Sequence, residues 1–170
     1  MEDKNKLRIY AKDLRKNLQT GAISKKAIEL IRENLLYKNS QNVMLFYPAK
    51  YEIDLRGLFH DNKKFYLPRV NGQSLDVCSY EIGDDLLKSD FGIYEPVCET
   101  VNCQNLDLVI VPALMADGHG YRLGYGGGYY DRFLVKIPDV KKIVVIPKEL
   151  YVENLPHEDY DIKVDEVINI

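Results

Sequence analysis

Two segments, residues 106–114 (LDLVIVPAL) and 141–147 (KKIVVIP), each hold an unbroken apolar run, from Leu108 and from Ile143 onward, rich in β-branched residues. A strand with one face in water alternates polar with apolar. A continuous run needs apolar cover on both faces, which is the condition of a buried parallel sheet. A third run, residues 43–47 (VMLFY), stops at Pro48 and reads the same way. Residues 63–70 (KKFYLPRV) predict a strand closed by Pro68, residues 75–80 (LDVCSY) a weaker one, and the final DEVINI a short last one. Helical spacing lies between and before them. Leu7, Ala11, Leu14 and Leu18 form one stripe, and a second helix is expected from Ser24, as N-cap, through Ile28, Ile31 and Leu35. Residues 52–60 fit a short helix, and residues 129–137 (YYDRFLVKI) another. The expected fold class is α/β. Residues 1–170 are expected to form a single three-layer domain, with a central, mostly parallel sheet covered by helices on both faces.

The second constraint is glycine. Six of the 11 glycines lie from Gly118 to Gly128, after the clearest strand and before a helix. In open α/β sheets, ligands bind beyond the carboxyl ends of strands. Bare backbone there lets several N–H groups and a helix N-terminus converge on an anion. Neither standard phosphate pattern fits: Tyr129 stands where G-x-G-x-x-G needs its last glycine, and no Lys follows the glycines as in a P-loop. A plain chain reversal with close helix packing remains open on pattern alone. Arg122 ahead of the loop offers a planar cation to a phosphate. Asp131 behind it suits either the helix dipole or an Mg²⁺ ligand beside phosphate oxygens. Arg132 reads first as a surface charge.

Composition removes several classes. The formal net charge is -3, against broad nucleic-acid binding. No apolar run is long enough for a bilayer, and no apolar stretch follows the polar MEDKNK, so neither membrane span nor signal peptide is expected. Cys78, Cys98 and Cys103 lack C-x-x-C spacing, as expected for reduced thiols in a cytoplasmic protein. His60, His119 and His157 show no metal-ligand spacing, and there is no G-x-S-x-G elbow.

The stretch DLVIVPALMADGHGYRLGYGGGYYDRFL resembles the signature of 5-formyltetrahydrofolate cyclo-ligases, also called 5,10-methenyltetrahydrofolate synthetases. Their pattern, a strand, a Pro and then G-x-R-L-G-x-G-x-G-Y-Y-D, is met at every fixed position from Gly120 to Asp131. Lys4 and Arg8 match the family's K-x-x-L-R, and Glu52 its E-[IV]-[DE]-T segment. LPRV, FGIYEP and LPHEDYDIKVDEVI match later landmarks. Leu55 departs where Thr is usual, Met115 where an aromatic is common, and the chain ends in VINI where relatives often carry Thr-Glu.

The resemblance implies an ATP- and Mg²⁺-dependent ligase acting on 5-formyltetrahydrofolate. It implies ATP contacts from Lys4, Arg8, Arg122, Leu123, Gly124, Tyr125, Gly126, Gly127, Gly128, Tyr129 and Tyr130. Lys4, Arg8 and Arg122 would carry the catalytic charge, and Asp131 and Asp161 the metal, with Asp159 and Asp165 as neighbouring alternatives to Asp161. Glu52 and Tyr47 would hold the folate, with Tyr129 and Tyr130 stacking on pterin or adenine. The expected partners are small molecules, without nucleic acid or membrane, and the expected state is a monomer. Without the resemblance, Lys4 and Arg8 would read as a solvated helical face and Glu52 as a surface or capping carboxylate. Rival readings are a non-catalytic relative binding ATP, folate or RNA, and a sugar-phosphate isomerase or CoA-transferase of similar architecture.

Overall fold

The computed structural model describes residues 3–170. Helix α1 spans Lys4–Arg15 and starts where the Asp3 carboxylate accepts from the Asn5 amide at 2.9 Å. Helix α2 spans Thr20–Glu33 and α3 spans Leu35–Lys38. Strands β1 (Asn42–Met44), β2 (Lys64–Asn71), β3 (Ser74–Tyr80), β4 (Leu86–Lys88), β5 (Tyr94–Pro96) and β6 (Thr100–Val101) follow. Then come β7 (Leu108–Ile110), β8 (Met115–Asp117), β9 (Arg122–Leu123), α4 (Tyr129–Leu134), β10 (Lys141–Ile146), β11 (Tyr151–Val152) and β12 (Glu166–Asn169).

Seven strands form the main sheet in the order β12-β10-β7-β1-β2-β3-β6. Neighbours from β12 to β2 run parallel, and β3 and β6 are antiparallel. Consecutive strand residues enter opposite apolar clusters, as continuous apolar runs require. Val109, Val144 and Ile146 share one cluster with Ala11 of α1 and Phe133 and Leu134 of α4. Leu108, Ile110, Ile143 and Val145 share the other with Ala27 and Ile31 of α2 and Tyr37 of α3. Each fully buried Leu or Ile contributes about 1.5–3 kcal/mol of transfer free energy.

Several boundaries differ from the sequence reading for physical reasons. Ser24 is not an N-cap: α2 begins four residues earlier, and the buried Ser24 hydroxyl accepts from the Asp54 amide at 2.8 Å. The second helix does not continue through Leu35. Asn34 turns extended, and its side chain caps α3 through the Leu36 and Tyr37 amides. Pro68 does not close β2. It pairs with Val77, while β1 pairs with β2 only as far as Tyr66, so the missing N–H removes no ladder bond to β1. Residues 75–80 form the strand expected there, within β3, which pairs with β2 along its whole length.

The long run at 106–114 contributes only three strand residues, and it does not feed the glycines directly. A hairpin, β8 and β9, intervenes, with Met115 opposite Leu123. Gly118 and Gly120 lie in its turn, which leaves Gly124–Gly128 as the loop into α4. Helix α4 is also shorter than expected, ending at Leu134.

Candidate active site

A cavity of about 580 Å³ lies beyond the carboxyl ends of the parallel strands. Phe46 and Tyr47 reach it from the end of β1, Val70 from β2, and Pro112 and Leu114 from beyond β7. One wall is the loop Gly124–Gly128 with the start of α4, and another is the basic face of α1, Lys12, Arg15 and Lys16. The β4–β5 hairpin forms a rim through Phe91, Ile93 and Tyr94. Phe91 lies edge-on to Tyr129 at 6.0 Å and Tyr94 beside Tyr47 at 5.4 Å. The sequence reading gave FGIYEP, which holds all three, only as a family landmark and assigned it no place in the site.

The loop is shaped by backbone that side chains disfavour. Gly126 has φ 109°, and Gly128, the N-cap of α4, has φ 66°. Arg132, read as a surface charge, grips this loop instead. Its Nη2 donates to the Gly127 carbonyl at 2.8 Å and its Nε to the Gln73 carbonyl at 2.7 Å. Arg8 reaches the same loop from α1, donating from Nε to the Gly124 carbonyl at 2.9 Å.

Arg122 is not a free cation. Its side chain is 3% exposed, and its Nη2 donates to Asp131 Oδ1 at 2.9 Å and its Nη1 to the Ile162 carbonyl at 2.7 Å. The same Asp131 oxygen accepts from the Ile162 amide at 3.0 Å. Arg122 and Asp131 therefore clamp residue 162 on both its peptide groups. Asp161 precedes it, which brings the two expected metal carboxylates to either side of one peptide. Asp161 Oδ2 accepts from Lys4 Nζ at 2.5 Å and from the Glu158 amide at 2.7 Å. Asp165 is turned elsewhere, onto Lys141 and the Lys142 amide.

Glu52 is buried at 7% exposure. The preceding Tyr51 has φ 68°, a left-handed conformation rare for an aromatic residue. The Ala49 amide donates to Glu52 Oε2 at 2.7 Å and the Tyr125 hydroxyl to Oε1 at 2.5 Å. The surface reading of Glu52 is thereby excluded. The Tyr130 phenol is held far above the usual range, by burial first and then by the Glu52 charge. The Tyr130 hydroxyl and Arg122 Nε are buried without a protein partner, although both residues line the cavity. Buried polar groups are otherwise nearly always satisfied.

Of the residues singled out from sequence, the cavity gathers Tyr47, Glu52, Arg122, Gly124, Tyr125, Gly127, Gly128, Tyr129, Tyr130 and Asp131. Lys4, Arg8, Leu123, Gly126 and Asp161 do not line it. Leu123 is buried in the core, Lys4 and Asp161 pair with each other, and Arg8 and Gly126 meet on the outer side of the loop. Among the described residues, no three His, Cys, Asp or Glu side chains cluster to hold a metal. The three cysteines are free, and burial foremost pushes the Cys78 thiol up to about 12, which removes it as a nucleophile at neutral pH. Among the described residues, no helix is long and apolar enough to cross a membrane.

Known proteins are similar to this chain in sequence and fold. The 5-formyltetrahydrofolate cyclo-ligase of Mus musculus is 28% identical over 184 residues, covering 91% of each chain. That of Haemophilus influenzae is 27% identical over 175 residues, covering 96% of this chain and 91% of its own. The NMR structure of Aquifex aeolicus 5,10-methenyltetrahydrofolate synthetase superposes with a TM-score of 0.85 at 35% identity, over 98% of this chain and 89% of that one. The family model described as 5-formyltetrahydrofolate cyclo-ligase spans residues 2–169. With the strand–hairpin–glycine-loop–helix unit standing over a buried glutamate, the chain belongs to the 5-formyltetrahydrofolate cyclo-ligase family of enzymes.

Proposed function

We propose that this chain converts 5-formyltetrahydrofolate to 5,10-methenyltetrahydrofolate with ATP and Mg²⁺, releasing ADP and phosphate. The observation that carries the reading is a single cavity joining a buried carboxylate, Glu52, to a glycine loop at a helix N-terminus. A carboxylate accepts from a pterin's amino and ring N–H groups. Loop N–H groups and a helix start suit phosphates.

The chemistry explains why one cavity must hold both. A formamide oxygen leaves poorly when the neighbouring folate nitrogen attacks its carbon. If that oxygen first attacks the γ-phosphorus, the bond to ADP breaks. The nitrogen then closes the ring on the formyl carbon, gives up its proton, and phosphate departs with the former formyl oxygen. Such phosphoryl transfer rests mainly on positioning and charge neutralisation. The loop would hold the phosphates. Arg8 lies against its backbone, and Lys12, Arg15 and Lys16 supply positive potential along the cavity wall. Tyr47, Tyr129 and the rim residue Phe91 would enclose the flat folate ring.

The donor set fits Mg²⁺, which needs only one or two carboxylates beside phosphate oxygens. Among the described residues, Asp131 at the cavity wall and Asp161 behind the Ile162 peptide each commit one oxygen to a cation and an amide and leave the other without a protein partner. Bound there, the metal would neutralise charge on the phosphates. Of the basic residues of α1 and its C-cap, Lys12, Arg15 and Lys16 line the cavity, Lys4 pairs with Asp161 and Arg8 bonds the glycine loop, which speaks against the RNA-binding alternative.

Mixing the protein with 5-formyltetrahydrofolate, ATP and Mg²⁺ should raise the near-ultraviolet absorbance of the methenyl product. Omitting ATP should abolish the rise. Tight ATP binding without turnover would favour the non-catalytic relative instead.

A further inference from the structure

Tyr125 was expected on the nucleotide, yet its hydroxyl points away from the loop backbone to the Glu52 carboxylate. Glu52 is buried, and among the described residues no Lys, Arg or His lies within ion-pairing distance of it. Its charge therefore rests on two hydrogen bonds, one to each oxygen, from the Ala49 amide and the Tyr125 hydroxyl. A carboxylate oxygen has two acceptor positions. One on each oxygen remains for a ligand, a matched pair for two N–H donors on the edge of a flat heterocycle. The Ala49 amide is local to the Glu52 turn. Tyr125 comes from the glycine loop, 73 residues away, between Gly124 and Gly126.

We propose that Tyr125 is a positioning residue for the folate. Its hydroxyl holds the Glu52 carboxylate oriented toward the cavity, and it ties the conformation of the glycine loop to the folate subsite. The inference rests on the functional reading above and deepens it, by moving Tyr125 from the nucleotide side to the folate side. The ring stands at the cavity wall with 43% of the residue exposed, so losing its hydroxyl hollows no core. A hydrogen bond to a charged group of this kind is worth about tenfold or more in affinity.

Steady-state kinetics on the wild type, Tyr125→Phe, Glu52→Gln and the double variant test it, with thermal melting as the control for folding. Tyr125→Phe should raise KM for 5-formyltetrahydrofolate about tenfold and shift KM for ATP and kcat less than about threefold. Tyr125→Gln, which restores a donor, should recover part of the loss. In the Glu52→Gln background, removing the hydroxyl should add little, because the charge it holds is gone. An unchanged folate KM in Tyr125→Phe would overturn the proposal, as would an equal rise in KM for ATP or full additivity in the double variant. If the wild type turns over and Tyr125→Phe matches it, only this proposal fails. If the wild type makes no ATP-dependent product, the functional reading fails and takes the proposal with it.

Discussion

Arg122 shows how a side chain singled out for chemistry is first committed to structure. Its guanidinium spans Asp131 and the Ile162 carbonyl, so it joins the start of α4 to the segment that carries Asp161. Its remaining Nε is buried and unpaired at the cavity wall. From the sequence, the residue was a free cation for a phosphate. In the folded chain its first task is to place two carboxylates. Breaking a buried ion pair from one side leaves the other charge uncompensated. Arg122→Ala should therefore cost about 3 kcal/mol, lowering Tm by about 9 °C for a chain of this size, and should reduce kcat. Thermal unfolding followed by circular dichroism checks the first part. An unchanged midpoint would mean that the clamp contributes nothing.

Among the elements, the joint between β1 and β7 carries a pH-dependent tie. Asp107, just ahead of β7, accepts from the Gln41 and Asn42 amides at 2.9 and 2.7 Å, and from the Asn42 side chain at 3.1 Å. Burial alone would raise its pKa, but the Asn42 and Gln41 amides together outweigh burial and hold the carboxyl below its ordinary range. A depressed carboxyl stabilises the fold above its unfolded pKa, about 3.9, and that stability is lost as pH falls through the lower folded value. Between about pH 5 and pH 3, Tm of the wild type should fall more steeply than that of Asp107→Asn. Parallel slopes would remove Asp107 from the acid transition.

The elements also mark where the sequence is readable. The continuous runs at 108–110 and 141–146 declare buried parallel strands, because covered backbone on both faces demands that composition. Glycines and a family signature locate the loop. What stays hidden is tertiary. The hairpins β4–β5 and β8–β9 are short and carry no alternation long enough to register. Ser24 has the composition of a cap, but tertiary packing spends its hydroxyl on the Asp54 amide. The Arg122–Asp131 and Lys4–Asp161 pairs join residues up to 157 positions apart, and no local pattern announces them. Tyr125 was expected on the nucleotide, and only the fold places Glu52 against it.

For the whole molecule, topology is what turns scattered residues into one site. Parallel strands end on one edge, and the segments leaving β1, β2 and β7 meet there with the glycine loop and with α1. Glu52 and the loop, far apart in the chain, line the same cavity, and the proposed reaction requires that proximity, since the formyl oxygen would have to reach the γ-phosphorus. The central claim is therefore a transfer of phosphate onto the substrate's own oxygen. The direct test labels that formyl oxygen with a heavy isotope, runs the reaction to completion with unlabelled ATP, and weighs the phosphate released. One labelled oxygen in each phosphate is the expected result. Phosphate without the label would contradict phosphorylation of the formyl group in this site.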